Sequence, residues 1–217
     1  MQNEDGRTGG AGKRSLLIPA AMKGLCALVF LFVGASFVSC AATAPPPAPS
    51  RDAVEVYYVF DGSSLQKVTP VQGRITVEEG ITEGNYGVVF STKEGYAPLV
   101  EVFKAAERPY ETKTKEFTEL TDTRKGMLTG VVYKAVSGGK LRPRRGIVTL
   151  YPDLPLRIVG KDRVYTEPTD AKGVYRLLLP AGEYTVAFET GGPVATVVVE
   201  PGKTVIHPIR RGAMLVD

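Results

Sequence analysis

The chain has 217 residues, of which 43% are hydrophobic and 23% are charged, and its formal net charge is +4. This length predicts one or two domains, and the composition is that of an ordinary globular protein. The charge is divided unevenly, with a net of −3 over residues 41–126 and +5 over residues 127–217. Such an asymmetry is too small to argue for nucleic-acid binding, although it suits attraction to an anionic surface.

Residues 24–38 form a continuous apolar stretch that follows Lys23. The stretch is short for a membrane-spanning helix and has the length of a signal-peptide h-region. It ends in Phe37-Val38-Ser39-Cys40, which resembles the lipobox of bacterial lipoproteins, with Phe37 in place of the usual leucine. The resemblance implies a signal region at residues 1–39, disordered or helical, and a lipid-bearing Cys40 acylated with palmitate. A plain signal peptide and an uncleaved anchor are the alternatives.

The residues on either side of this stretch extend the prediction. Residues 1–21 are polar and glycine-rich, which leads to the hypothesis that translation begins at Met22. Ala41 follows the cysteine, and lipoproteins kept at the inner membrane commonly carry Asp there, so the resemblance implies sorting to the outer membrane. Residues 40–50 would then be the lipidated cysteine and a proline-rich linker, extended at about 3.1 Å per residue. The alternative is that this proline-rich segment is a recognition ligand.

Residues 51–126 form a β-rich middle segment. Strands are predicted at residues 54–60, 71–77, 86–91 and 115–120, because these runs are rich in β-branched and aromatic residues. Residues 99–106 could be strand or helix, and Asp61-Gly62 is a turn signal. The segment is predicted to be either a small β-domain of its own or an extension of the domain that follows.

Two groups in the middle segment could carry chemistry. An aromatic group could stack on sugar, but aromatic residues at strand spacing more often form core; its members are Tyr57, Tyr58, Phe60, Tyr86 and Phe90. Three acids, Glu78, Glu79 and Glu83, lie close together in sequence without a nearby His or Cys. We therefore expect a solvated acidic face and no metal site.

The C-terminal segment is organised around residues 169–189. They are predicted to form a hairpin of two strands joined by a tight turn at residues 179–182, with Pro180 at the second turn position. Period-two spacing places six residues on its inner face; they are Tyr175, Leu177, Leu179, Tyr184, Val186 and Phe188. Further strands are predicted at residues 128–134, 146–151, 163–166, 193–200 and 204–209, which together indicate an antiparallel sandwich.

Several of these residues carry a resemblance. Gly130-Val131-Val132, the Gly139–Leu150 region, and the pair of segments at residues 169–175 and 179–186 resemble carboxypeptidase regulatory-like domains. The resemblance implies an all-β fold in which residues 127–217 form a seven-stranded prealbumin-like antiparallel sandwich. It says little about function, because this scaffold serves as a spacer, adhesion module or docking surface in many contexts.

Related folds suggest two kinds of chemistry that the residues do not support. Surface-protein modules of this type close a Lys–Asn bond with the help of a buried Glu, but Arg176 and three leucines occupy the strand expected to hold it, so we predict no such cross-link. Transthyretin-like hydrolases rely on a histidine pair, whereas His207 is the one histidine here. We expect a structural His207 at a sheet margin, a turn-forming Asp170 rather than a calcium ligand, no cofactor and no enzymatic activity.

Basic side chains define a candidate patch for anionic partners; its members are Lys140, Arg142, Arg144, Arg145, Arg210 and Arg211. A solvated loop and tail are the simpler interpretation of these charges. The function predicted from the sequence is a non-enzymatic outer-membrane lipoprotein that acts as a structural or protein-interaction module. Its partners would be the membrane and another envelope protein or glycan. Carbohydrate binding at the cell surface is the alternative.

Overall fold

The computed structural model describes residues 53–75, 81, 83–105, 110–111, 116–137 and 146–215. In these residues the regular structure is entirely β, and none of them forms a helix long and apolar enough to cross a membrane. The strands are β1 (Val56–Phe60), β2 (Leu65–Val68), β3 (Arg74–Ile75), β4 (Tyr86–Thr92), β5 (Leu99–Lys104), β6 (Tyr110–Glu111), β7 (Lys125–Ser137), β8 (Ile147–Leu150), β9 (Pro155–Val159), β10 (Val164–Pro168), β11 (Val174–Pro180), β12 (Gly182–Phe188), β13 (Pro193–Val199), β14 (Thr204–Ile206) and β15 (Ile209–Leu215).

The strands form two main sheets. A nine-stranded sheet has the order β11-β7-β8-β4-β1-β2, with β14 and β15 paired to β7 and β5 paired to β4. A four-stranded sheet has the order β10-β9-β12-β13, and β3 and β6 form a separate short ribbon. The all-β sandwich predicted from the sequence is confirmed. One feature differs from the expected antiparallel pattern, because β14 and β15 run parallel to β7.

Three apolar clusters hold the layers together. The sandwich core lies between the two sheets and consists of Leu128, Val132, Leu156, Ile158, Tyr175, Leu177, Leu179, Tyr184, Val186, Val197, Val199 and Ile209. The central core consists of Phe60, Val88, Phe90, Val100, Val131, Tyr133, Ala135, Ile147 and Val174. The outer core consists of Val59, Ile75, Ile81, Val89 and Phe103. The central core draws residues from both the middle and the C-terminal strands of the nine-stranded sheet.

Strand β7 is buried on both faces. Leu128 and Val132 belong to the sandwich core, whereas Val131, Tyr133 and Ala135 belong to the central core. This explains the continuous apolar run in its sequence, which is typical of a strand covered on both sides. β7 thus contributes to both cores, as does β11, which places Val174 in the central core and Tyr175 in the sandwich core.

The predicted central hairpin is wrong in its pairing, although both of its strands exist. β11 pairs with β7 in the nine-stranded sheet, whereas β12 pairs with β9 and β13 in the four-stranded sheet. Ala181 alone separates the two strands, which leaves fewer residues than the two of the shortest common hairpin loops. The chain therefore crosses from one sheet to the other, and the Tyr184 hydroxyl donates a hydrogen bond of 2.8 Å to the Pro180 carbonyl across this corner.

The predicted inner face of that element is nevertheless buried as expected. Tyr175, Leu177 and Leu179 in β11 and Tyr184 and Val186 in β12 all belong to the sandwich core. Phe188 is half-buried and packs against the same core. The two sets of side chains face each other across the interior instead of lying side by side in one sheet.

Other strand predictions need correction. The predicted strand at residues 71–77 contains a tight turn, because Gln72 and Gly73 both have positive φ and Val71 and Arg74 exchange two backbone hydrogen bonds. Of the predicted strand at residues 115–120, Glu119 forms one isolated bridge with Tyr96. Residues 99–106, which the sequence left open between strand and helix, contain a strand, β5, at residues 99–104.

Four strands were not predicted, and one prediction was a single strand where the structure has a break. The unpredicted strands are β2, β6, β9 and β15. The predicted strand at residues 204–209 ends at Ile206, and β15 begins at Ile209 after His207 and Pro208. Both pieces pair parallel with β7, and Ile206 opposite Thr129 and Ile209 opposite Val132 keep the same register, so the break interrupts the strand without moving it to another sheet.

Candidate functional site

The structure describes only part of the sequence-predicted sites. Cys40 and the loop cations Lys140, Arg142, Arg144 and Arg145 lie outside the described residues. Arg210 and Arg211 are described, and both lie on β15, where they are exposed. The proposed patch therefore stays a prediction in its larger part.

Arg211 is held by two aromatic rings. Its guanidinium carbon lies 5.3 Å from the centre of the Tyr151 ring and 5.5 Å from that of Phe188. The Tyr151 hydroxyl also donates a 3.0 Å hydrogen bond to the Arg211 carbonyl. Cation–π contacts of this kind are worth about 0.5–1 kcal/mol at an exposed site. They attach β15 to the end of β8 and to β12, so Arg211 has a structural use that its charge in the sequence did not indicate.

Arg210 is oriented by its own strand. Its Nε donates a 3.2 Å hydrogen bond to the Gly212 carbonyl, where a bulge interrupts the pairing with β7. Arg210 pairs in register with Tyr133. Burial raises the pKa of the Tyr133 phenol, and the positive charge of Arg210 partly offsets that rise. The guanidinium is thus exposed but stands beside the central core.

His207 lies at the margin of the nine-stranded sheet, between β14 and β15. Its backbone N–H donates to the Thr129 carbonyl at 2.8 Å, and its carbonyl accepts a 2.5 Å hydrogen bond from the Tyr175 hydroxyl. Burial lowers the pKa of the imidazole, which favours the neutral form. The hydrogen bonds involve the His207 backbone, so the structural role predicted for its imidazole stays a prediction.

Asp170 forms a turn, as predicted. Its Oδ1 accepts hydrogen bonds from the backbone N–H groups of Lys172 at 2.8 Å and Val174 at 3.0 Å. Its Oδ2 forms an ion pair with Arg176 at 3.2 Å. With both oxygens satisfied by the protein, the carboxylate fixes the start of β11.

The aromatic group proposed as a sugar platform does not lie in one exposed row. Phe60 and Phe90 are buried in the central core, and the half-buried Tyr58 and Tyr86 pack against it. Tyr57 points to the opposite face of the sheet and packs against the outer core. The interpretation of these residues as core side chains is therefore confirmed for both phenylalanines.

The acidic cluster is described at one position only. Glu83 is exposed, as expected for a solvated face, whereas Glu78 and Glu79 lie outside the described residues. Among the residues that the structure describes, no three His, Cys, Asp or Glu side chains are placed to hold a metal ion.

A groove of about 670 Å³ lies at one end of the four-stranded sheet. The turn at residues 160–163 and the corner at residues 180–183 form its walls, and they contribute Lys161, Asp162, Arg163 and Glu183. The Tyr165 and Tyr184 rings meet edge to face at 6.2 Å beside it. Burial, followed by the neighbouring Tyr165, raises the pKa of Tyr184. The groove offers mixed charges and a phenol to a polar ligand, without a histidine or cysteine in its lining.

The free edge of β13 is the feature that sequence reasoning missed. β13 ends the four-stranded sheet, and Val194 and Val198 on it are 38% and 58% exposed. Among the described edge strands of more than three residues, the others each carry charge: Lys67 on β2, Glu101 on β5, Glu167 on β10, Arg176 on β11 and Arg210 on β15. β13 reads PVATVVV and has none. Charged side chains are a common protection of sheet edges, and β13 lacks this protection, although it begins at Pro193 and has a bulge in its pairing with β12.

No family model and no curated protein matches the chain. Among solved structures, the chain is similar to the Bacillus anthracis TIE protein at a TM-score of 0.32 and 16% identity, covering 74% of this chain and 35% of that chain. It is also similar to GBS52, the minor pilin of the Gram-positive pathogen Streptococcus agalactiae, at a TM-score of 0.28 and 14% identity, covering 76% of this chain and 86% of that chain. The chain thus spans little more than a third of the TIE protein. Similarity at these TM-scores carries no argument about function.

Proposed function

We propose that the protein is an outer-membrane lipoprotein, anchored through Cys40, that acts as a structural or protein-interaction module of the cell envelope and has no enzymatic activity. We further propose that residues 127–217 are a prealbumin-like module of the carboxypeptidase regulatory-like type. The support for this fold is the packing of β7 and β11 against the sheet of β9, β10, β12 and β13 through the sandwich core.

The observation that carries the interaction role is the uncharged edge of β13. An extended segment that pairs with a sheet edge gains main-chain hydrogen bonds, and alternate side chains give specificity. Val194 and Val198 would supply these side-chain contacts, because both are exposed on that strand. The opposite edge of the same sheet, β10, differs in carrying the charged Glu167, whereas each of the two edge strands has one terminal proline, Pro168 in β10 and Pro193 in β13.

Three buried polar side chains, Thr129, Thr169 and Asp61, hydrogen-bond to backbone, which suits a scaffold. The Thr129 hydroxyl donates to the Tyr175 carbonyl at 2.9 Å. The Thr169 hydroxyl donates to the Tyr151 carbonyl at 2.6 Å and accepts from the Leu154 N–H at 2.9 Å. Asp61 accepts from the backbone N–H groups of Ser63 and Ser64 in the turn after β1. Each of these groups holds backbone to backbone.

Two measurements test the proposal. Radiolabelled palmitate should enter the wild-type chain in a bacterial host and should not enter Cys40→Ser; equal labelling of both would reject the anchor. A photoreactive amino acid at Val198 should capture an envelope protein in intact cells, with the same group at Val164 as the matched control. Val164 is 53% exposed on the opposite edge of the sheet. Equal capture at both positions would reject the β13 edge as the interaction surface.

A further inference from the structure

The side chains of β13 read nearly the same in both directions. Thr196 lies at the centre of the strand, and the exposed Val194 and Val198 lie two residues to either side of it. Because side chains alternate along a strand, Thr196 and Val198 share the outer face, while Val197 and Val199 point into the sandwich core. Val194 is exposed where a bulge interrupts the pairing of β13 with β12. An antiparallel partner centred on Thr196 would therefore meet the same outer sequence that it presents itself.

We propose that the occupant of the β13 edge is the β13 strand of a second copy of this chain, related by a two-fold axis at Thr196. In this register Val194 of one copy lies opposite Val198 of the other, and the two Thr196 side chains lie opposite each other. Directly opposed residues of an antiparallel pair have Cβ atoms about 4.5–5.5 Å apart. The two four-stranded sheets then become one continuous sheet. This inference rests on the proposed function, since it names the partner of the same edge.

The charges next to the edge fit this arrangement. Glu183 pairs in register with Val198, and Arg157 lies beside Ala187, which pairs with Pro193 at the other end of the strand. A two-fold axis exchanges the two ends of β13, so the Glu183 side chains of the two copies lie at opposite ends of the joined edge, and Arg157 on β9 is about four strand spacings from the Glu183 of the other copy, too far for a direct interaction. The self-pairing thus opposes apolar to apolar residues on the edge and keeps the like charges apart.

The size of the contact predicts where the pair will be found. Seven residues at about 3.4 Å each give an edge about 24 Å long. A contact along one strand edge of this length is small beside the surface of about 800 Å² that each partner buries in a stable complex. We therefore expect a weak pair in dilute solution. Copies that share one membrane have a much higher effective concentration, so the pair should form there.

The test is cysteine cross-linking of the full chain in the membranes of the expressing cells. Thr196→Cys should be trapped as a covalent dimer by mild oxidation or a short bis-maleimide, with a yield at least about tenfold above that of Thr166→Cys, because thiol cross-linking requires close approach. Thr166 is the matched control, since it is an exposed threonine on the opposite edge strand, β10. The wild-type chain in parallel measures cross-linking through Cys26 and Cys40.

The register has its own test. Cells that express Val194→Cys and Val198→Cys from two differently tagged copies should give the mixed dimer in preference to either self-dimer. Adding Val198→Lys to Thr196→Cys should lower the dimer yield about tenfold, because an edge lysine opposes strand addition. Adding Val164→Lys instead should leave the yield unchanged, since that valine lies on the other edge of the sheet.

The outcomes separate this inference from the proposed function. Equal yields from Thr196→Cys and Thr166→Cys, or no dimer from either, would overturn the self-pairing. A covalent product between Thr196→Cys and a different protein would also overturn it, while leaving the interaction role in place. A self-dimer in a chain that takes up no palmitate would retain the pairing and reject the anchored role.

Discussion

Gly130 is a position where one added methyl group should do severe damage. A Cβ there would lie 2.2 Å from the His207 carbonyl oxygen and 2.8 Å from the Tyr175 hydroxyl oxygen, whereas ordinary contact begins at 3.4 Å. The His207 backbone would have to move by about 1.2 Å, the difference between the ordinary contact distance of 3.4 Å and the 2.2 Å from the added Cβ to the His207 oxygen. Backbone cannot rotate away as the end of a flexible side chain can.

The cost of Gly130→Ala follows from what holds His207 in place. Moving it breaks or strains the 2.8 Å hydrogen bond to Thr129 and the 2.5 Å hydrogen bond from Tyr175. Each is worth about 0.5–1.5 kcal/mol, and overpacking a well-packed site adds about 1–3 kcal/mol. We expect a loss of about 3 kcal/mol in the free energy of unfolding. The loss would grow if β15 detached, because Ile209 is buried in the sandwich core.

The assay is equilibrium urea unfolding of a soluble form that begins after Cys40. Far-UV circular dichroism is the suitable signal, because the chain has no tryptophan. Gly192→Ala is the control, since a Cβ there has no neighbour within 4 Å. Its effect should stay within about 1 kcal/mol and favour stability through the unfolded state. A Gly130→Ala midpoint equal to that of the wild type, at an unchanged m-value, would refute the close-approach argument.

Three further predictions use the same assay or a simple binding measurement. Burial holds the pKa of His207 below its unfolded value of about 6.5, so the contribution of the neutral imidazole to stability is complete above that pH and is lost as the pH falls toward the lowered folded pKa. The wild type should therefore lose more stability than His207→Gln between about pH 7.5 and 5.5. Parallel pH profiles of the two proteins would contradict this. Asp170→Ala should lower the free energy of unfolding by about 1–2 kcal/mol, because two backbone N–H groups lose their acceptor. Arg176→Gln should lower it by less than about 0.5 kcal/mol, because the ion pair between Asp170 and Arg176 is partly exposed. Equal losses in the two variants would show that the ion pair, rather than the turn, gives the stabilisation. Replacing Arg142, Arg144 and Arg145 with serine should weaken co-sedimentation of the protein with anionic liposomes at low salt. A bound fraction equal to that of the wild type would reject the basic patch.

The sequence predicted burial better than it predicted partners. Period-two spacing placed Tyr175, Leu177 and Leu179 on the inner face of one strand and Tyr184 and Val186 on that of the next, and all five are buried. The same spacing is compatible with two strands side by side in one sheet and with two strands facing each other across a core. Alternation reports which face of a strand is apolar but carries no information about its hydrogen-bonded neighbour.

The missed strands have a related cause. β9 and β15 contain charged residues that point outward, such as Arg157 and Arg210, and both follow segments rich in turn signals. β15 pairs parallel with β7. Parallel partners are joined by long connections, so no turn residues next to β15 indicate this pairing in the sequence. The open edge of β13 could not be found from the sequence either, since an edge is defined by a missing neighbour, and only the sheet order supplies that.

The central core explains why the middle and C-terminal segments belong to one folded body. The sheet link between them is slight, because β4 and β8 pair at Tyr86 and Ile147 only. The central core is a much larger connection: Phe60, Val88 and Phe90 from the middle segment pack with Val131 and Val174 from the C-terminal segment. Burying a side chain of this kind contributes about 1.5–3 kcal/mol, more than one ladder hydrogen bond. A cut after Gly126 would expose apolar side chains of the central core on both pieces, so burial in this core joins the two segments more than their strand pairing does.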